Sequence, residues 1–207
     1  IQQKAGLPDA FGVTKFADRS DEEFKSVLGR KPDGKGPRDV PTRQPKVGTP
    51  PATVDWTAAG AVTPVKNQGQ CGSCWAHSVT EQIESQWILD GNSMWEFSKQ
   101  QVASCTTTCN GCGGGQTYDG YEYLMGLPTN EGLGSSAFAP YVQSMYTECT
   151  GTSCTEACSS IDVAALQTEA QLTGYYAQVT GYEYATTPCS SSDFKCNNQN
   201  LTELASN

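Results

Sequence analysis

The sequence predicts an α+β protein that follows a basic leader. Three observations point there: capped helical periodicity through the middle of the chain, a strand-like run near its end, and a change in charge sign near residue 50. Residues 1–50 carry ten Lys/Arg and seven Asp/Glu, a net +3, whereas 51–207 carry three and fifteen, a net −12. All ten cysteines fall in the second part.

Each element follows in order. Ser20-Asp21-Glu22-Glu23 has the form of a capping box, with Phe24, Val27 and Leu28 as an apolar stripe and Gly29 as the stop. From Lys31 to Pro51 six prolines and few large apolar residues predict an extended connector. A longer helix is expected from Ser73 or Cys74 to about Asp90, ended by Gly91. Trp75, Val79, Ile83 and Trp87 recur every four residues, and Ala76 widens that face, so it should be buried. Ser98 with Gln101 caps a shorter helix containing Val102 and Ala103. After the glycine-rich turn at 111–115, Tyr118 to Met125 reads as a third helix. Val179 to Ala185 reads as a strand, and Asn200 with Glu203 as a helix start.

Composition excludes several classes. A net charge of −9 argues against holding DNA or RNA by its phosphates. No apolar run approaches the roughly 18 residues of a membrane helix. Ten cysteines are many for a reduced cytosol and too few for a miniature disulfide scaffold. There is no initiator Met, no signal-peptide pattern and no internal repeat, so a processed chain or a fragment is expected.

Cys71 with Cys74, and Cys109 with Cys112, have C-x-x-C spacing, and spacing alone leaves three readings open. The pairs would suit tetrahedral zinc, although the gap between them is long for a ribbon. Cys71-Gly72-Ser73-Cys74 would suit a dithiol redox site, although no βαβ pattern surrounds it. In the third reading Cys74 is a nucleophile at a helix start, where free backbone N–H groups favour an anion.

The surrounding residues choose the third. Gln68-Gly69-Gln70-Cys71-Gly72-Ser73-Cys74-Trp75 contains the C-G-[SA]-C-[WY] signature, and the chain resembles papain-like cysteine proteases. Val54-Asp55-Trp56 and Gly60-Ala61-Val62-Thr63-Pro64-Val65-Lys66-Asn67 resemble the start of a mature enzyme of that family. Phe97-Ser98-Lys99-Gln100-Gln101-Val102-Ala103-Ser104-Cys105 resembles its next helix. Gly111-Cys112-Gly113-Gly114-Gly115 resembles its GCNGG turn. Upstream, Gly12-x-Thr14-x-Phe16-x-Asp18 and then Glu22-Glu23-Phe24 resemble the propeptide's G-x-N-x-F-x-D segment, with Thr14 in place of Asn.

The resemblance implies roles residue by residue. Cys74 is the nucleophile, and Gln68 joins the Cys74 backbone N–H in an oxyanion hole. Gly114 and Gly115 pair with substrate backbone, while Gln116 and Thr117 border the second specificity pocket. Disulfides Cys71–Cys112 and Cys105–Cys149 are implied; Cys109, Cys154, Cys158, Cys189 and Cys196 have no assigned partner, and the nine cysteines besides Cys74 are an odd number. The family's base His lies about 130–150 residues after the nucleophile, about position 204–224 here, so a chain truncated before its His and Asn is expected. The single histidine, His77, reads as a core or cleft-floor residue, since the family fills that position with an aromatic.

The expected architecture is a partial inhibitory propeptide and connector (1–50), a helical left domain (51–174) and the opening of a β-rich right domain (175–207). The reaction implied is peptide-bond hydrolysis through an acyl-thioester, with no metal and no cofactor. Protein or peptide substrate and the intramolecular propeptide are the partners expected; nucleic acid and membrane are not. A monomer in a secreted or endolysosomal setting follows from family and cysteine count. The alternative is a non-catalytic disulfide or zinc module that keeps the family framework. The charge division further predicts that the propeptide lies on the acidic part and leaves as its carboxylates protonate below about pH 4.

Overall fold

A computed structural model describes residues 13, 17–29, 37–44, 48–49, 51–142, 158–162, 165–166, 168 and 176–188. Helix α1, Asp21–Ser26, opens on the expected capping box: the Ser20 hydroxyl accepts from the Glu23 amide and the Glu23 carboxylate accepts from the Ser20 amide. Its apolar stripe is not all buried. Val27 is 5% exposed, but Phe24 and Leu28 are 43% and 53% exposed. A six-residue helix turns too few times to present three apolar residues to one neighbour. Most of the Gly12–Asp18 motif and the expected helix start at Asn200 lie outside the described residues.

Helix α2, Cys74–Leu89, is the central element, followed by α3, Lys99–Cys105, and α4, Thr117–Met125. The four-residue periodicity places Trp75, Ala76, Val79 and Ile83 in one core with Phe97, Val102, Ala103, Leu124, Leu133 and Ala177, and Trp87 packs at its edge. Gly120 lets α4 come close to α2, because a Cβ there would lie 2.9 Å from a Val79 methyl. The Ser98 hydroxyl caps α3 by accepting from the Gln101 amide.

A buried carboxylate ties these parts together. Glu84, on the far side of α2, is fully buried, and its Oε1 accepts from Lys99 Nζ (2.6 Å) and the Phe97 amide (2.8 Å). Its Oε2 accepts from Thr63 Oγ1 (2.5 Å) and Lys66 Nζ (3.0 Å). Burial alone would raise the Glu84 pKa, but the hydrogen bonds from Lys99 and Thr63 and the Lys99 charge outweigh it, and the pKa lies below its ordinary value.

Two expectations are corrected here. Cys105 bonds to Cys158, not to Cys149, because the 3-10 turn Cys158–Ser160 packs on the end of α3 and brings the two Cα atoms to 4.8 Å, within the span of a disulfide. Residues 179–185 form no strand among the described residues. Leu133 pairs with Ala177 and Thr42 with Tyr184, each as a single bridge, so neither neighbour runs alongside for long enough to build a ladder.

Candidate active site

The loop before α2 is fixed before the helix begins. Cys71 is bonded to Cys112 in the 3-10 turn Gly111–Gly113, and the Gly72 amide donates to the Cys112 carbonyl at 3.0 Å. Trp75 Nε1 donates to the Gly111 carbonyl at 3.1 Å from the other side. Cys74 is thus the first residue of α2, half-buried and a free thiol. Ser73 at the N-cap makes no side-chain cap, since its hydroxyl is engaged by Tyr141.

Gln68 stands on the same loop. Its Nε2 donates to the Cys71 carbonyl (2.8 Å), and its own carbonyl accepts from the Tyr141 hydroxyl (3.1 Å). The second Nε2 donation goes to the Val27 carbonyl at 2.8 Å, so residues just past α1 meet the amide assigned to the oxyanion. Two residues on, the Gly29 carbonyl accepts from the Gly115 amide at 2.8 Å. This crossing needs glycine on both sides: a Cβ on Gly29 would lie 1.6 Å from the Gly72 carbonyl oxygen, and one on Gly72 would lie 2.6 Å from that of Cys112. Arg19 adds a bond from Nη1 to Gln70 Oε1 at 2.6 Å.

Gly114 and Gly115 are buried at the start of this wall. Gln116 takes the N-cap position of α4 with its side chain buried, and Nε2 finds no hydrogen-bond partner among the described residues. Thr117 begins the helix, half-buried. Behind them sits Cys109, whose thiol lies 3.9 Å from the Gln116 carbonyl and 3.7 Å from Asp119 Oδ2. Burial pushes its pKa up to about 11, with the Asp119 charge adding to the effect.

His77 shares a pocket of about 350 Å³ with Gln68, Cys74, Lys66 and Glu81. Its Nδ1 donates to the Ser73 carbonyl at 3.1 Å, and its ring stands edge-on to Tyr141 at 4.7 Å. No hydrogen bond joins it to Cys74. Burial holds its pKa below the ordinary value, opposed by the Ser73 bond and assisted by the charges of Lys99 and Lys66. The ring is therefore neutral, with Nε2 buried and without a partner among the described residues.

Sequence reading did not name the anchors of the connector. Arg38 donates through Nη2 to Asp119 Oδ1 at 3.0 Å, approaches Glu122 Oε1 with Nε at 3.3 Å, and lies 3.9 Å above the Tyr118 ring. Arg43 pairs with Glu183. The charge division was the signal that contained them. Among the described residues no group of three His, Cys, Asp or Glu side chains is placed to hold a metal.

These features agree with comparisons to known proteins. The description "Papain family cysteine protease" matches residues 50–197, and the chain belongs to that family. Cysteine proteinase 1 of Dictyostelium discoideum is 35% identical over 153 residues, which are 67% of this chain and 44% of that protein. A cysteine proteinase of Trypanosoma brucei brucei is 40% identical over 149 residues, 69% of this chain and 32% of that one. Among solved structures, digestive procathepsin L2 from the larval midgut of Tenebrio molitor matches with a TM-score of 0.58 and 32% identity, over 69% of this chain and 48% of that one. Recombinant stem bromelain precursor matches with a TM-score of 0.56 and 26% identity, over 75% and 49%. The fold is therefore papain-like with a helical left domain, and the chain spans less than half the length of these relatives.

Proposed function

We propose that this chain is part of a cysteine-peptidase zymogen that hydrolyses peptide bonds through an acyl-thioester on Cys74. The sulfur would attack the scissile carbonyl carbon, and the developing oxyanion would be met by Gln68 Nε2 and the Cys74 backbone N–H. A protonated base would give its proton to the leaving amine, and water would then release the acid and the thiol. These 207 residues supply the nucleophile and an oxyanion donor. They do not supply the base, because their single histidine is buried, is bonded through Nδ1 to the Ser73 carbonyl and makes no hydrogen bond to Cys74. Chain 1–207 therefore does not turn over peptides.

One observation carries the zymogen reading: the carbonyls of Val27 and Gly29 occupy the Gln68 amide and the Gly115 amide. Residues 1–50 act as an inhibitory pro-segment, 51–174 as the left domain, and 175–207 as the start of the right domain. Gln116 and Thr117 border the pocket that reads the substrate side chain. The disulfides support a secreted or endolysosomal setting. A zinc module is disfavoured because Cys71 and Cys112 are already bonded to each other. Acid releases the pro-segment as the Asp119 carboxylate facing Arg38 loses charge. Burial raises the Asp119 pKa although Arg38 opposes this, so that pair discharges earlier in acidification than an ordinary carboxylate would.

The test uses the folded chain carrying Gly29→Ala, which lifts the pro-segment from Gln68, labels it with iodoacetamide and with a peptidyl chloromethyl ketone, and reads both by mass. Both modify Cys74, and Gln68→Ala slows only the ketone, whose carbonyl passes through a tetrahedral oxyanion on sulfur before sulfur displaces chloride, by about 10²-fold. Equal slowing of both reagents, or of neither, removes Gln68 from the oxyanion hole.

A further inference from the structure

We propose that the acidic face of α4 and the backbone at Tyr184 form a binding site for extended peptides carrying two arginines five residues apart, separate in chemistry from the nucleophile and its oxyanion donors. The inference rests on the reading of residues 1–50 as a removable segment, whose Arg38 and Arg43 fill the site in this structure.

The recognition is built from three kinds of contact. The Arg38 guanidinium forks between Asp119 Oδ1 (3.0 Å) and Glu122 Oε1 (3.3 Å), a geometry that lysine's single ammonium cannot reproduce. Its Cζ lies 3.9 Å from the Tyr118 ring centroid, adding a cation–π contact. The pair is well shielded, at 15% and 9% side-chain exposure, so it is less screened than a surface ion pair. The backbone then fixes the register. The Arg38 amide donates to the Tyr184 hydroxyl (2.8 Å), the Tyr184 amide to the Pro41 carbonyl (2.9 Å), and the Arg43 amide to the Tyr184 carbonyl (2.7 Å). Arg43 closes the contact on Glu183.

Every protein group in this list other than the ligand segment belongs to residues 118–184, and none belongs to the oxyanion donors or the nucleophile. Removal of the segment leaves two carboxylates and an aromatic face together, with both the N–H and C=O of Tyr184 open. That is the chemistry of a site that adds one short strand and reads arginine at two positions. A substrate or inhibitor with an exposed Arg-x-x-x-x-Arg stretch meets both requirements.

The test uses the full chain with Arg38→Ala and Arg43→Ala together, which removes both competing arginine side chains in cis, and a fluorescent peptide with the sequence of residues 37–44. Fluorescence polarisation reads binding, and circular dichroism with a cooperative melt confirms folding. The peptide is expected to bind the double variant and to bind the unsubstituted chain at least tenfold more weakly, because the tethered arginines compete at high effective concentration. Adding Asp119→Asn to the double variant should weaken binding at least tenfold, and so should lysine at the first arginine of the peptide. Equal binding to both chains, indifference to Asp119→Asn, or no binding by a folded double variant overturns the proposal. If the double variant does not fold, the single variant Arg38→Lys, measured with the same peptide, stands in and must still bind more tightly than the unsubstituted chain. No turnover is read, so failure of the peptidase reading leaves these outcomes unchanged.

Discussion

The upstream segment is held in two places by two different kinds of force. Residues 19–29 lie beside Cys74 through backbone carbonyls on Gln68 and Gly115 and through a glycine-on-glycine contact with Gly72. Residues 37–44 are held by the Arg38 pairs on α4, by the Arg43–Glu183 pair and by a single parallel bridge to Tyr184. The first attachment depends on shape and on hydrogen bonds that pair no two charges, the Arg19 guanidinium meeting only the Gln70 amide oxygen, so acid and salt have little to act on. The second depends on charge, so both act on it. A segment fastened in this way should loosen from its connector end first.

The largest effect removes the scaffold under both attachments. Glu84→Gln leaves Lys99 buried and Lys66 half-buried without their counter-charge and is expected to cost about 3–5 kcal/mol in urea unfolding. The Glu84 pKa is lowered on folding, so its stabilisation is full above the unfolded value of about 4.3 and is lost as pH falls through the folded value. The gap between the unsubstituted chain and the variant should therefore narrow in that acid range.

Gly29→Ala separates the two attachments. With a Cβ placed 1.6 Å from the Gly72 oxygen, the segment must lift from the loop while Arg38 and Arg43 stay seated. Alkylation of Cys74 by a bulky maleimide should rise about tenfold or more. An unchanged rate would mean that residues 27–29 do not shield the thiol.

The third prediction reverses the emphasis. Between pH 7 and pH 4, the Arg43 and Tyr184 amides should lose hydrogen-exchange protection, after correction for intrinsic rates, while the Gly115 amide keeps its own. Equal loss at all three would show one cooperative release and erase the difference between the attachments. The smallest effect tests the neutral imidazole of His77. The His77 pKa is lowered on folding, so the unfolded chain binds this proton more readily and stability falls as pH drops below about 6.5. His77→Phe should flatten that slope in thermal melts between pH 7 and pH 5, leaving the carboxylate effects at lower pH in place.

Much of the helical half was legible because its signals are local. A capping box at Ser20, the Ser98–Gln101 cap and the four-residue spacing from Trp75 to Trp87 each act within one or two turns. The glycines at 114–115 and the Cys71–Cys112 bond sit within quoted motifs. What was missed is long-range. Cys105 finds Cys158 through the packing of a 3-10 turn, and nothing in spacing separates Cys158 from Cys149. Residues 179–185 have strand-like alternation, but their pairing depends on a neighbour brought from residue 42, which meets them at Tyr184 alone. The charge division implied attraction, yet only the folded α4 places Asp119 and Glu122 one turn-step apart, where one guanidinium reaches both.

Cys109 has a bearing on how the fold survives oxidation and reduction. It lies three residues from Cys112, near enough in sequence to compete for the Cys71–Cys112 bond. Thiol–disulfide exchange runs through the thiolate, and a pKa of about 11 leaves about one molecule in 10⁴ ionised at pH 7. The thiol is thus kinetically muted once folding has buried it, and the correct pairing is protected from scrambling by protonation. In the unfolded chain that protection is absent, and Cys109 can compete for Cys71 until folding buries its thiol.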